Sequence, residues 1–273
     1  MPKGWDAVPS PFALVMRWSN EDKKQLGTLY LDERLPIAEI AQRLRRSTAS
    51  VNTCLTKFGI VRERSLPKLH MPTSMTPTLA RIHAHVCGDG HVFVTRERDH
   101  YGYLSAYRQG YYRHRYGFAY ANLNFTLIQS FMADVREVFG LTPRYLPKYW
   151  RVTVRSKAAL ELLRRLGAGK SRTWFIHDEI LQADDRVVAA WLKAFFDDEA
   201  HFVPNGGIRV RSVSRPGLEQ AAQMLRRFVP CHLTPARGLY RDDSCYLVVP
   251  TSARGEFLRS IGSTKYREAT SAG

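Results

Sequence analysis

The sequence has little cysteine: 4 residues in 273, Cys54, Cys87, Cys231 and Cys245, far apart and without a CxxC pair. That excludes a disulfide framework and a zinc ribbon, and it fits a reducing cytosol. No run of about 18 apolar residues exists, so no stretch reads as a membrane span. Nor does Met1 to Ser19 read as a secretory leader, because its one apolar run, Phe12 to Met16, is too short. Acid is scarce as well: 25 Asp+Glu stand against 41 Lys+Arg, a formal charge of +16. With 44% hydrophobic and 24% charged residues the chain otherwise has the composition of a folded protein. A disordered basic tail is therefore excluded, and the partner implied is a polyanion.

Residues 1–65 read as a separable unit. Ser19 caps a helical stretch from Glu21 to Leu31 with Leu26, Leu29 and Tyr30 at helical spacing. Pro36 takes the place of a first helical residue, opening Ile37 to Leu44. Ser47 caps a third helix, Thr48 to Phe58, with Val51 and Leu55 inward, and Gly59 ends it. Three short helices with a tight turn before the last form the helix-turn-helix pattern, whose final helix enters a major groove. Ser47, Thr48, Ser50 and Asn52 are its candidate DNA contacts, with Arg45, Arg46 and Lys57 at its edge. Residues 66–79, with Pro67, Pro72 and Pro77, read as a linker.

The remaining body repeats itself. In residues 80–178, a helical stretch Phe131 to Phe139 leads to Leu141-Thr142-Pro143, a strand around Trp150 to Val154, a helix ending Leu162 to Gly167, then Lys170. In residues 179–273, Ala221 to Phe228 leads to Leu233-Thr234-Pro235, a strand around Cys245 to Val249, a helix ending Phe257 to Gly262, then Lys265. Two like units of mixed helix and strand imply halves related by a pseudo-twofold axis.

The halves also open alike, with Ala80-Arg81-Ile82-His83-Ala84-His85-Val86-Cys87-Gly88-Asp89-Gly90 and Ala190-Trp191-Leu192-Lys193-Ala194-Phe195-Phe196-Asp197-Asp198-Glu199-Ala200. Both are apolar helical stretches ending in acid. Small residues, Ala84 and Gly88 in one and Ala194 and Ala200 in the other, permit close helix approach. These segments and the order that follows them resemble the paired motifs of the LAGLIDADG homing endonucleases, over residues 80 to about 268. Asp89 and Glu199 fall on the motif's penultimate acidic position. The second copy departs in having Ala200 where glycine is usual, the first in having Cys87 where an acid is common.

The resemblance implies an α+β fold of duplicated αββαββα halves with pseudo-twofold symmetry behind the small three-helix domain. The motif helices would pack at the centre and each sheet would form a saddle on double-stranded DNA. It implies a monomeric, Mg²⁺-dependent (or Mn²⁺-dependent) endonuclease that hydrolyses phosphodiesters at a long site to give 3′ overhangs. Asp89, Glu199, Gly88 and Asp198 are the implied metal-site residues, and Lys170 and Lys265 are the implied basic residues bracketing the centre. Physically, carboxylates at helix C-termini face the negative end of the dipole and repel each other, a penalty that a hard divalent cation removes. Asp197 is expected to orient its helix end and Asp198 to be exposed.

Between Arg96 and Tyr120, tyrosines including Tyr111 alternate with Arg96, Arg98, Arg108, Arg113 and Arg115; Phe202 to Ser214 is a shorter equivalent carrying Arg209 and Arg211, followed by Arg215. A β-ribbon of this composition suits a major groove. Two other signals fail on spacing. Gly169-Lys170-Ser171 lacks the earlier glycine of a phosphate-binding loop, and of His83, His85, Cys87 and His91 only Cys87 and His91 are read as sharing a helix face. Two alternatives to cleavage stay open, a catalytically silent DNA-binding regulator and an RNA-splicing maturase. Two acids placed beside phosphate weaken pure binding, which favours cleavage. A cytoplasmic location follows from this reading, nucleoid-associated in a prokaryote.

Overall fold

The computed structural model describes residues 18–60, 69–98, 112–204, 206–236 and 244–266. The chain divides into two compact units, residues 1–66 and 67–273.

In the first unit α1 (Asn20–Gly27) runs into a π-helical turn, Thr28–Asp32, and is followed by α2 (Ile37–Arg43) and α3 (Thr48–Lys57). Ser19 caps α1 reciprocally, its hydroxyl accepting from the Asp22 amide at 3.0 Å while Asp22 accepts from the Ser19 amide at 3.1 Å. That amide and the Arg46 guanidinium hold the Asp22 carboxyl below the usual range. Pro36 is the N-cap of α2, one position earlier than its sequence suggests. Leu26, Leu29, Ile40, Ala41, Val51, Cys54 and Leu55 bury one shared core. Between α2 and α3 the chain turns through Arg45 in the left-handed region, φ 51°.

The second unit has the repeat in three dimensions. Its first half runs α4 (Pro77–Cys87), β1 (Gly90–Arg98), β2 (Tyr112–Ala121), α5 (Phe125–Phe139), β3 (Arg144–Leu146), β4 (Arg151–Val154) and α6 (Lys157–Arg165). After the short α7 (Asp178–Leu181) come α8 (Asp185–Glu199), β5 (Ala200–Phe202), β6 (Ile208–Ser212), α9 (Arg215–Leu225), β7 (His232–Pro235), β8 (Cys245–Val249) and α10 (Arg254–Ser260). Each half folds into an antiparallel sheet of one strand order, β1-β2-β4-β3 and β5-β6-β8-β7. The first motif helix begins at Pro77, inside the stretch read as linker, because Thr76 caps it and proline is tolerated in its first turn.

The repeat extends to a packing detail. Gly117 and Gly207 each precede the residue that pairs with the last residue of the central strand, Val154 or Val249. A Cβ at either glycine would lie 2.2 Å from that residue's carbonyl oxygen. Only glycine permits so close a backbone approach.

Apolar residues of both sheets and their helices form a continuous core around α4 and α8. The chain leading from α6 to α7 is pinned across the halves. Trp174 packs with tilted rings against Trp191 and Phe195, its carbonyl accepts from Ser214 Oγ at 2.8 Å, and Gln220 hydrogen-bonds both backbone groups of Ile176.

Candidate active site and nucleic-acid interface

Helices α4 and α8 meet at their C-terminal ends, where the small residues matter. Ala84 and Ala194 are buried between them, and a Cβ on Gly88 would lie 3.1 Å from the Asp198 side chain. Ala200, read as a packing residue, instead ends α8 and starts β5.

Asp198 departs from expectation, being buried rather than exposed. Its carboxylate turns away from solvent into the other half. Oδ2 accepts from His85 Nδ1 at 2.8 Å, and Oδ1 accepts from the Tyr120 hydroxyl at 2.6 Å and Asn122 Nδ2 at 3.4 Å. Its backbone carbonyl accepts from Lys265 Nζ at 2.7 Å. Burial and the Asp198 charge push the Tyr120 hydroxyl far up, so it remains a donor. Asp197 anchors its helix end as expected, accepting from Ser263 Oγ, the Thr264 amide and Lys193 Nζ at 2.8, 2.7 and 2.6 Å.

Asp89 lies in the turn between α4 and β1, and Glu199 is the last residue of α8. Asn122 Nδ2, which also reaches Asp198, donates to Asp89 Oδ2 at 2.8 Å. Desolvation by the packed helix ends and the Asp198 charge push Asp89 up to about 6, against the opposing pull of Lys265, His85 and Asn122. Burial, then Asp89 and Asp198, push Glu199 up to about 7, with Lys265 opposing. The two acids thus share one electrostatic environment, and Lys265 is in it. Lys170 is exposed, between Gly169 and Ser171, which line a cleft of about 300 Å³ with Glu199, Gly88 and Arg211.

The histidines read as unsuited to zinc have other partners. His83 is fully buried, accepts from Trp191 Nε1 at 2.9 Å, and is lowered to about 3 by desolvation, which keeps it neutral. Cys87 is also buried; contrary to the sequence reading it shares its helix face with His83, 3.6 Å away, and not with His91, which lies on β1, and burial pushes its thiol up. Among the described residues, no group of three or more His, Cys, Asp or Glu side chains is arranged to hold a metal.

Strand alternation sorts the candidate DNA contacts. The outer face of the first sheet lines a groove of about 420 Å³ with Phe93, Thr95, Arg115, Arg144, Arg151 and Arg155 among its walls. Arg115 also ion-pairs with Glu97. Arg96 stands opposite His114 in register, one step out of phase with the groove residues, and so falls on the other face. The side chains of Arg98 and Arg113, and all of Arg108 and Tyr111, lie outside the described residues. Arg209 is exposed on β6 across from His201, while Arg211 donates to Ser244 Oγ at 3.1 Å. Arg215 is not on the sheet: it is the first residue of α9, paired with Glu219 at 2.9 Å.

Within the first unit the Ser47 hydroxyl caps α3 and the Ser50 hydroxyl accepts from Trp18 Nε1 at 3.2 Å. Arg46 is bound to Asp22 at 2.9 Å and lies over the Trp18 ring. Thr48 and Asn52 are exposed. Sequence reasoning placed Tyr120 in the ribbon rather than against Asp198, and it gave no role to Asn122, Arg144, Arg151 and Arg155. The last two were legible, since Arg151-Val152-Thr153-Val154-Arg155 alternates strictly.

No protein-family model matches the sequence, and no curated protein matches it. Solved structures do. Mesophilic variants of the homing endonuclease I-DmoI superpose with a TM-score of 0.53 at 15% identity, over 68% of this chain and 95% of theirs. I-DmoI in complex with DNA and Mn gives 0.52 at 14% identity, over 68% and 96%. A point variant of I-DmoI, in complex with its target DNA and in the presence of Mn, gives 0.50 at 14%, over 68% and 93%. The chain has the duplicated LAGLIDADG fold of these endonucleases. Among the described residues no helix is long and apolar enough to cross a membrane.

Proposed function

We propose that the protein is a sequence-specific endonuclease of double-stranded DNA, acting as a monomer with one acid, Asp89 or Glu199, contributed by each half. The observation that carries this is the meeting of those two acids, equivalent in the repeat, at the joined ends of α4 and α8 between two sheets with exposed arginines.

Both acids rise above their ordinary range, through desolvation at the helix ends and then through the charge of Asp198 and, for Glu199, of Asp89 as well. A site of that kind favours a divalent cation. Mg²⁺ is commonly held by one or two carboxylates plus water and substrate phosphate, so a two-carboxylate centre with no third His, Cys, Asp or Glu ligand among the described residues suits it. Asp89 and Glu199 would hold the metal, which supplies an activated water and charge stabilisation for the leaving 3′ oxygen. Asn122 orients Asp89, and Lys265 adds positive charge next to both acids. Arg211, which lines the cleft with Glu199, and the exposed Lys170, between the cleft residues Gly169 and Ser171, are the further cations for the phosphates. Gly88 contributes closeness of approach and Asp198 the anchoring of the helix pair, rather than a side-chain ligand. The phosphate and base contacts fall to Arg115, Arg144, Arg151, Arg155 and Arg209. In unit 1 the turn between α2 and α3 is read as a helix-turn-helix, with Thr48 and Asn52 toward DNA.

The test is digestion of a randomised duplex library with Mg²⁺ or Mn²⁺ and sequencing of the cut ends, expected to give one long site with 3′ overhangs. Asp89→Asn and Glu199→Gln should each lower cutting by at least about 100-fold, with duplex affinity kept or improved. Undiminished cutting by either variant sinks the assignment. Tight duplex binding without cutting in either metal identifies the silent regulator instead.

A further inference from the structure

The β3–β4 turn of the first half, Pro147 to Trp150, carries an aromatic surface that neither the acid centre nor the arginine groove accounts for. Trp150 is 45% exposed, Tyr149 58% and Leu123 80%. They are neighbours, since the Asn122 amide donates to the Trp150 carbonyl at 3.1 Å and Ala121 pairs with Arg151. Trp150 has φ 46°, a left-handed conformation that glycine or asparagine adopts with less strain than an aromatic residue. The ring is thus presented to solvent on a backbone that disfavours it.

Three observations indicate what covers this surface. Arg151 lies over the Tyr149 ring at 5.4 Å, and Lys148 lies over it at 5.6 Å, so the aromatics are rimmed by cations. Arg151 Nε is buried without a hydrogen-bond partner among the described residues, so it is the rest of the guanidinium that faces the groove. Arg151 also lines the groove, and Asn122, tied to Trp150, hydrogen-bonds Asp89. Exposed rings flanked by positive charge fit stacked bases joined by phosphates.

We propose that Tyr149, Trp150 and Leu123 form a stacking platform that grips duplex DNA next to the cleavage point, packing against the sugar and base faces of a deformed step while Arg151 holds the phosphate. The proposal rests on the DNA-cutting reading above. A platform of this kind unstacks a step and makes bending of the duplex favourable. It contributes to affinity without adding to the salt dependence, because stacking releases no counterions.

The experiment titrates the full-length protein, Trp150→Phe, Trp150→Gly and Tyr149→Ala with a fluorescein-labelled 40-base-pair random duplex, following anisotropy and tryptophan emission at several salt concentrations. Wild-type emission is expected to fall on binding, and Trp150→Phe to lose most of that change while still binding. Trp150→Gly and Tyr149→Ala should each weaken binding about 10-fold with the salt slope unchanged. Trp150→Gly relieves the left-handed residue but loses the half-buried ring and frees the unfolded chain, so its Tm is read beside that of Trp150→Phe, and a cooperative melt at the assay temperature separates lost contact from lost fold. Duplex binding with Trp150 emission unchanged, or wild-type affinity in the glycine and alanine variants, overturns the platform and leaves the DNA reading standing; the patch would then serve a protein partner. No anisotropy change for wild type even at low salt overturns both.

Discussion

A carboxylate buried between helices persists only where donors meet its lone pairs, and Asp198 has three, from His85, Tyr120 and Asn122. Asp198→Ala strands a buried phenol and imidazole, and it should cost about 3 kcal/mol or more of the second unit's stability, measured by thermal or urea unfolding. Asp198→Asn should cost less, since it retains acceptor capacity. The two less buried acids behave oppositely. Folded Asp89 and Glu199 sit at about 6 and about 7, above their ordinary 3.8 and 4.5, so the native state holds protons that the unfolded chain has released. Their contribution to stability is therefore complete below about pH 4 and is lost as pH rises through about 6 to 7. Metal-free Tm should fall across that window. Added Mg²⁺ should raise Tm, and by more at about pH 8 than at about pH 5, because deprotonated carboxylates bind it. A smaller fall in Tm across that window in the Asp89→Asn, Glu199→Gln double variant is the internal control.

At the scale of elements, the turn between α2 and α3 is strained at one position. Arg45 adopts φ 51°, where glycine has no Cβ clash. Arg45→Gly should stabilise the first unit by about 0.5–1 kcal/mol in chemical unfolding, less whatever the freer unfolded chain takes back. Strand β4 shows what an element's own pattern can tell. Val152 and Val154 are buried, and Arg151 and Arg155 line the groove, as alternation in five residues requires. Helix α8 shows the limit. Asp197, Asp198 and Glu199 are consecutive acids, and their helical positions alone do not indicate which of them meets a donor on a strand of the other half. Asn122 carried no local signal either, because its carboxylate partners lie 33 and 76 residues away along the chain.

At the scale of the whole molecule, the two units have separate cores, and the second contains the acids, both sheets and the groove. Deleting residues 1–66 should leave cooperative unfolding of the remainder and the cut position unchanged. Duplex affinity should weaken and the slope of log K against log salt should become shallower, by roughly one for each phosphate contact removed. An identical salt slope would assign the first unit a role other than binding DNA.

By itself the sequence determined the periodic and local features. These are the three capped helices, the duplicated order of elements, the two acids at matching positions and the positive charge, because each depends on spacing within a few residues or on similarity between two stretches. Only the tertiary structure decided which cations share the acids' environment and which belong elsewhere. Lys265 enters that environment, while Arg215 is paired along its own helix and Arg96 falls on the face away from the groove. It also decided that Asp198 is buried and that Trp150 is not. The reason is physical: a charged or aromatic side chain takes its environment from neighbours that are distant along the chain, so its exposure and partners exist only once the two halves have packed.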